Sequence, residues 1–230
     1  MNRLLTAGCS FTKHCWPTWA DYLGKQYIWH KQIGFGGYDN SNIARSIIKF
    51  ANPGDTVVVM WSGYDRWSFY DENQNEWIHN GWIGTNKDFY TNHFSAIERF
   101  TTTMDYVSMV DLHSKQVGYD CFHFPAFNWF KAEKFSNVPF GLREIYDSYS
   151  PNNIKNNFLL TKSLLEYQED NNEVFEITHK YIKKDTHPTP ITHWNYLKQI
   201  IAKNIGINID NTLESTVLED QSKVLAGDIG

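Results

Sequence analysis

The chain has 230 residues, 41% hydrophobic and 20% charged, which suits one packed α/β domain with insertions and excludes wholesale disorder. Its net charge of −5, without a basic cluster, argues against nucleic acid as a partner. The three Cys, at positions 9, 15 and 121, lack metal-type spacing and are too few for a disulfide scaffold, which fits a reducing compartment.

In chain order, Leu4-Leu5-Thr6-Ala7-Gly8-Cys9-Ser10 reads as the first strand of a parallel sheet, with Ser10 on the turn at its carboxyl end. In open α/β sheets that edge is where ligands bind, and a following helix offers free N–H groups to an anion. Leu5-Thr6-Ala7-Gly8-Cys9 also has the look of a lipoprotein processing box, but the apolar segment before Cys9 is shorter than the roughly 7–15 residues of a signal peptide. No run approaches the roughly 18 apolar residues of a membrane span, so a cytoplasmic protein without a membrane partner is expected.

Trp16-Pro17-Thr18 opens a short helix, with Pro17 at its first position and Gly24 as its stop. Tyr27 to Ile33 is the second strand, and Gly34-Phe35-Gly36-Gly37 a flexible turn. Asp39 or Asn40 caps a helix through Phe50 that carries Ile43, Ala44, Ile47 and Ile48 on one face. After the loop Asn52-Pro53-Gly54-Asp55 comes Thr56 to Trp61, apolar on both faces as a central parallel strand requires. Strands alternating with helices indicate a doubly wound sheet.

Residues 66–92 interrupt the pattern with Trp67, Phe69, Tyr70, Trp77, Trp82, Phe89 and Tyr90 among polar residues, an insertion that reads as a hairpin. A helix follows from Phe94 to Gln116, then a fourth strand within Gly118 to Ala126. Residues 127–172 form a second insertion with a helical piece at Leu159 to Tyr167, Glu173 to Thr178 is the fifth strand, and Thr192 to Asn204 the last core helix. The polar tail, 206–230, spaces Leu213, Val217, Val224 and Leu225 as a weak docking helix would, and stands outside a core domain of residues 1–205. Aromatic content of 16%, with nine Trp, exceeds what a small core needs and points to an exposed aromatic surface of the kind sugars stack on.

Ser10 after a strand is by itself an ordinary helix cap. Three further blocks raise its standing: Gly36-Gly37-Tyr38-Asp39-Asn40-Ser41-Asn42 after the second strand, Trp61-Ser62-Gly63-Tyr64-Asp65-Arg66 after the third, and Asp185-Thr186-His187-Pro188 ahead of the last helix. An acid, a His and a Ser thus fall at the carboxyl ends of neighbouring strands. His187 and His193 are six residues apart without further ligands, so a metal is not expected and His193 is read as a helix-start residue.

At Gly8-Cys9-Ser10-Phe11-Thr12 with Trp16-Pro17, and again at Gly37 to Arg45 and Asp185 to His193, the sequence resembles the SGNH (GDSL-type) hydrolase family, in particular its short bacterial and phage forms. The resemblance covers roughly residues 3–66 and 183–204. It implies a flavodoxin-like α/β/α sandwich with a central five-stranded parallel sheet, and hydrolysis of an ester without metal or organic cofactor. Ser10 would attack the acyl carbon, His187 would carry the proton, and the Ser10 and Gly37 N–H groups would form the oxyanion hole. The expected partner is a small-molecule or carbohydrate ester, with O-acetyl sugars favoured by the aromatic insertions, Trp77, Trp82 and Trp129 among them. A phage origin would add association with a virion.

Two departures matter. The family offers an Asn in the third block, where this chain has Asp65, an acceptor that would repel an oxyanion; Ser62, Tyr64 and Arg66 are the substitutes at hand. Many relatives place the acid three residues before the His, where this chain has Lys184; Asp185 sits two before, so either Asp185 or a backbone carbonyl orients His187. The rival class is a binding module on the same scaffold, virion-surface or glycan-directed. A nucleotide binder would need a phosphate-cradling loop that the chain lacks.

Overall fold

The computed structural model describes residues 3–73, 75–79, 94–131, 141–178 and 184–228. Strands β1 (Arg3–Gly8), β2 (Trp29–Gln32), β3 (Thr56–Trp61) and β6 (Asp120–Pro125) form one sheet in the order β2-β1-β3-β6, every pairing parallel. Successive side chains of a strand point to opposite faces, and here both faces are apolar. Leu5, Ala7, Val57, Val59 and Trp61 enter one core; Leu4, Cys9, Val58, Met60 and Phe124 enter the other.

The first core is closed by α2 (Asn40–Phe50), α3 (Ala96–Val117) and α4 (Leu142–Ser148), through residues such as Ile43, Ile47, Phe100, Met104 and Tyr146. The second is closed by α1 (Trp19–Gly24), α5 (Leu164–Asp170), α6 (Pro190–Tyr196, running on through a π-helical Leu197–Ala202) and α7 (Glu214–Leu225). The result is an α/β/α sandwich. Chain order reverses direction between β1 and β3, so their carboxyl ends flank the crevice where open sheets bind ligands.

Several expectations need correction. Glu173 to Thr178 is not a fifth strand: Val174 and Phe175 are exposed, and only Ile177 pairs, in an antiparallel bridge with Asp185. The run has strand-like residues, but its neighbour is Asp185 rather than the edge of β6, so it joins no ladder of the sheet. The free edge of β6 is met instead by Asn156–Phe158, through a one-residue parallel bridge between His123 and Asn157. Pro17 is not the first helical residue: Thr18 is the N-cap of α1, its N–H donating to the Asp21 carboxylate at 2.8 Å, because Thr caps well and Pro cannot supply a capping oxygen.

The helical piece of the second irregular region begins later than expected, at Leu164, where Ser163 and Glu166 form a capping box. Helix α4 was not expected at all. Residues Ser68–Asp71 (β4) and Glu76–His79 (β5) pair antiparallel as a hairpin. The tail helix α7 packs on α6, burying Val217 and Val224, and Tyr22 of α1 donates to Asp220 at 3.0 Å. No helix among the described residues is long and apolar enough to cross a membrane.

Candidate functional site

The site starts where β1 ends. Beyond Gly8 the chain turns tightly: Cys9 O accepts from Thr12 N at 2.9 Å and Lys13 N at 3.1 Å. Gly8 is required there, since a Cβ would lie 2.8 Å from Met60 O of the neighbouring strand. The turn presents Ser10, 8% exposed, over the crevice between β1 and β3.

His187 reaches Ser10 from the other end of the chain, with Nε2 2.8 Å from Ser10 Oγ. Its Nδ1 lies 2.6 Å from Asp185 Oδ1, and the same oxygen accepts the His187 backbone N–H at 2.9 Å. A carboxylate bonding the N–H two residues on is an Asx turn. That local geometry lets an acid two positions before the His meet its ring. Asp185 is anchored by its own backbone, which exchanges two 2.8 Å hydrogen bonds with Ile177, so the segment expected to be a strand serves as a clip for the acid. With Nδ1–H donated to the carboxylate, Nε2 is left as acceptor for the Ser10 hydroxyl.

Around this chain stands an aromatic wall. Phe11 meets the His187 ring edge-on at 5.4 Å and stacks on Phe127 at 4.9 Å. His14 stacks on the other ring neighbour position, 4.3 Å from His187 at an interplanar angle of 23°, and its Nε2 lies 3.0 Å from Asp185 Oδ2. Trp16 backs His14 edge-on at 4.1 Å and donates its indole N–H to Pro188 O at 2.9 Å. His193, on α6 beneath these rings, is fully buried; burial, then the nearby His14 and His187, holds its pKa well below the usual imidazole value, so it stays neutral.

The second block docks on the first, Phe35 N donating to Gly8 O at 3.1 Å. Gly37 adopts φ +84°, within a turn closed by Tyr38 N and Phe35 O. Neither the Ser10 nor the Gly37 N–H has a backbone acceptor among the described residues.

The third block divides. Ser62 belongs to the scaffold: its N–H donates to Asn40 Oδ1 at 2.8 Å, its carbonyl accepts from Asn40 Nδ2 and Trp129 Nε1, and its hydroxyl is sealed from solvent. Tyr64 packs edge-on against Phe100 in the core. Asp65 and Arg66 lie on the turn itself, closed by Arg66 N and Gly63 O at 3.3 Å. The Asp65 carboxylate folds back over Gly63, and the Arg66 guanidinium sits 5.7 Å over Phe127, the ring that continues the wall to His187.

The expected indole surface is not there for Trp129, which is 3% exposed and part of the core. Trp82, Phe89 and Tyr90 lie outside the described residues, and of Trp77 only the strand position is described. His14 is the residue that sequence reasoning missed. Its signal was a second imidazole four positions after the candidate nucleophile, within the same block.

Ligand atoms of His14, Asp185 and His187 lie within 4.8 Å of one another. They are committed to each other and to Ser10, and a cation here would have to break the Asp185–His187 pair. The donor set therefore fits a proton-handling chain better than a metal centre.

No protein-family model matches the chain, and no curated protein matches it. In fold it resembles an acetylxylan esterase from Geobacillus stearothermophilus, 11% identical with a TM-score of 0.52 over 90% of this chain and 95% of that one. A catalytic mutant of the same esterase gives a TM-score of 0.51. The YXIM protein of Bacillus subtilis is 15% identical, TM-score 0.51, over 91% of this chain; the chain spans 58% of that protein's length. At these identities the likeness is one of fold.

Proposed function

We propose that this chain is a serine ester hydrolase of SGNH type. The observation that carries the proposal is the continuous hydrogen-bonded run from Ser10 Oγ to His187 Nε2 at 2.8 Å and from His187 Nδ1 to Asp185 at 2.6 Å, at the crevice of the sheet. Ser10 Oγ bonds to the acyl carbon while its proton passes to His187 Nε2. Asp185 stabilises the imidazolium so formed. The Ser10 and Gly37 N–H groups receive the oxyanion, a role worth about 3 kcal/mol per well-placed donor. The alcohol leaves with the His187 proton; a water then gives its proton to His187 and attacks the acyl group, releasing the acid and restoring Ser10.

The substrate class we favour is an O-acetylated carbohydrate. The acetylxylan esterase sharing this fold supports it. So does the rim of Phe35, half-exposed beside Tyr38 on the loop that carries Gly37. A binding module on the same scaffold is the second reading, favoured by the Asp65 carboxylate in the third block.

The test is hydrolysis of p-nitrophenyl acetate and of acetylated xylan by the wild type and by Ser10→Ala. Turnover that vanishes with Ser10 supports the esterase. Folded wild type that neither turns over nor is labelled at Ser10 by a fluorophosphonate refutes it and leaves the binding module.

A further inference from the structure

We propose that His14 is a positioning residue of this site, holding the second oxygen of Asp185 and one face of His187, and so keeping His187 Nε2 aimed at Ser10. The proposal rests on the esterase reading above.

The Asp185 side chain is 1% exposed, and each of its oxygens has its own imidazole: Oδ1 faces His187 and Oδ2 faces His14. A carboxylate turns easily about its last torsion, and the His187 ring and backbone N–H both hold it by Oδ1. Two partners on opposite oxygens fix it. The His187 ring is also held by neighbours of different geometry, His14 stacked at 4.3 Å and Phe11 edge-on at 5.4 Å. His14 is in turn held by Trp16, whose indole bonds Pro188 O, in the same loop as His187. These contacts make His14 part of the frame that keeps His187 Nε2 aimed at Ser10.

The experiment compares wild type, His14→Gln and His14→Phe, using p-nitrophenyl acetate. Gln keeps a donor for Asp185 Oδ2 without the stacked ring; Phe keeps the ring without a donor. In His14→Phe, kcat should fall about tenfold with KM unchanged, as misaimed catalytic groups cost rate rather than binding. His14→Gln should recover most of that kcat.

A His14→Phe variant with wild-type kcat, or a kcat loss that His14→Gln does not recover, overturns the proposal and leaves His14 as packing. The proton NMR signal of the His187 Nδ1–H, held by Asp185 at 2.6 Å, is read without turnover. An inactive wild type thus sinks the esterase reading. A His187 Nδ1–H signal unmoved by His14→Phe sinks the His14 inference.

Discussion

Asp185→Asn is the substitution that weighs most directly on the proposed mechanism. Asn keeps the shape and one acceptor oxygen, so the Nδ1–H of His187 still finds a partner and the loop keeps its Asx turn. What is lost is the negative charge 2.6 Å from the ring, in a side chain with 1% exposure, at the moment His187 becomes positive. A hydrogen bond to a charged group contributes about 3 kcal/mol against roughly 1 kcal/mol for a neutral one. A transition state losing the difference, about 2 kcal/mol, slows by roughly 30-fold. The assay is kcat/KM on p-nitrophenyl acetate, with His187→Ala as the floor and fluorophosphonate labelling of Ser10 as an independent count of reactive sites. A variant within threefold of wild type would refute the reasoning and assign the orientation of His187 to a backbone carbonyl.

Three further outcomes follow from the same structure. Burial holds the His123 pKa down to about 4, so between that pH and the ordinary 6.5 the unfolded chain binds the proton that the folded one refuses. Stability from His123 is thus present above pH 6.5 and lost on acidification, by roughly 2 kcal/mol between about pH 7.5 and about pH 5; urea unfolding should show that loss reduced in His123→Gln, and equal slopes would disprove it. Gly8→Ala forces a Cβ to 2.8 Å from Met60 O and should cost about 1–3 kcal/mol in urea unfolding together with most Ser10 labelling; an unchanged midpoint would show that the strand end yields freely. Asp65→Asn exchanges an acceptor for a donor on the third turn and should raise kcat about tenfold if that side chain faces the oxyanion, whereas a flat kcat would place it outside the hole.

How much of this was legible before folding differs from element to element. Thr56 to Trp61 was readable to the residue, because a central parallel strand is apolar on both faces and loops of Asn, Pro and Gly punctuate it. The helix to Phe50 was equally plain, its Ile43, Ala44 and Ile47 lying on one face, while the structure chose Asp39 over Asn40 as its cap. Glu173 to Thr178 misled because β-branched and aromatic residues in a short run resemble a strand, yet only neighbours in space could decide whether they pair. Trp129 misled in the opposite sense, since an indole among polar residues gives no local sign that its N–H will find Ser62 O in the core.

The candidate site shows the same division. Sequence alone determined the kinds of group and their places in chain order: a Ser on the turn after the first strand, a Gly-rich second turn, and an Asp and a His before the last helix. These follow from local rules, since strand ends, glycines and caps are set by neighbours along the chain. Only the tertiary structure decided that Ser10 and His187 meet across 177 positions, that an Asx turn lets Asp185 serve from two residues away, and that His14 completes the carboxylate. Ser62 and Tyr64 were drawn into the scaffold in the same way. Hydrogen bonds of this length depend on where the sheet order brings distant strand ends together, and no local pattern encodes that distance.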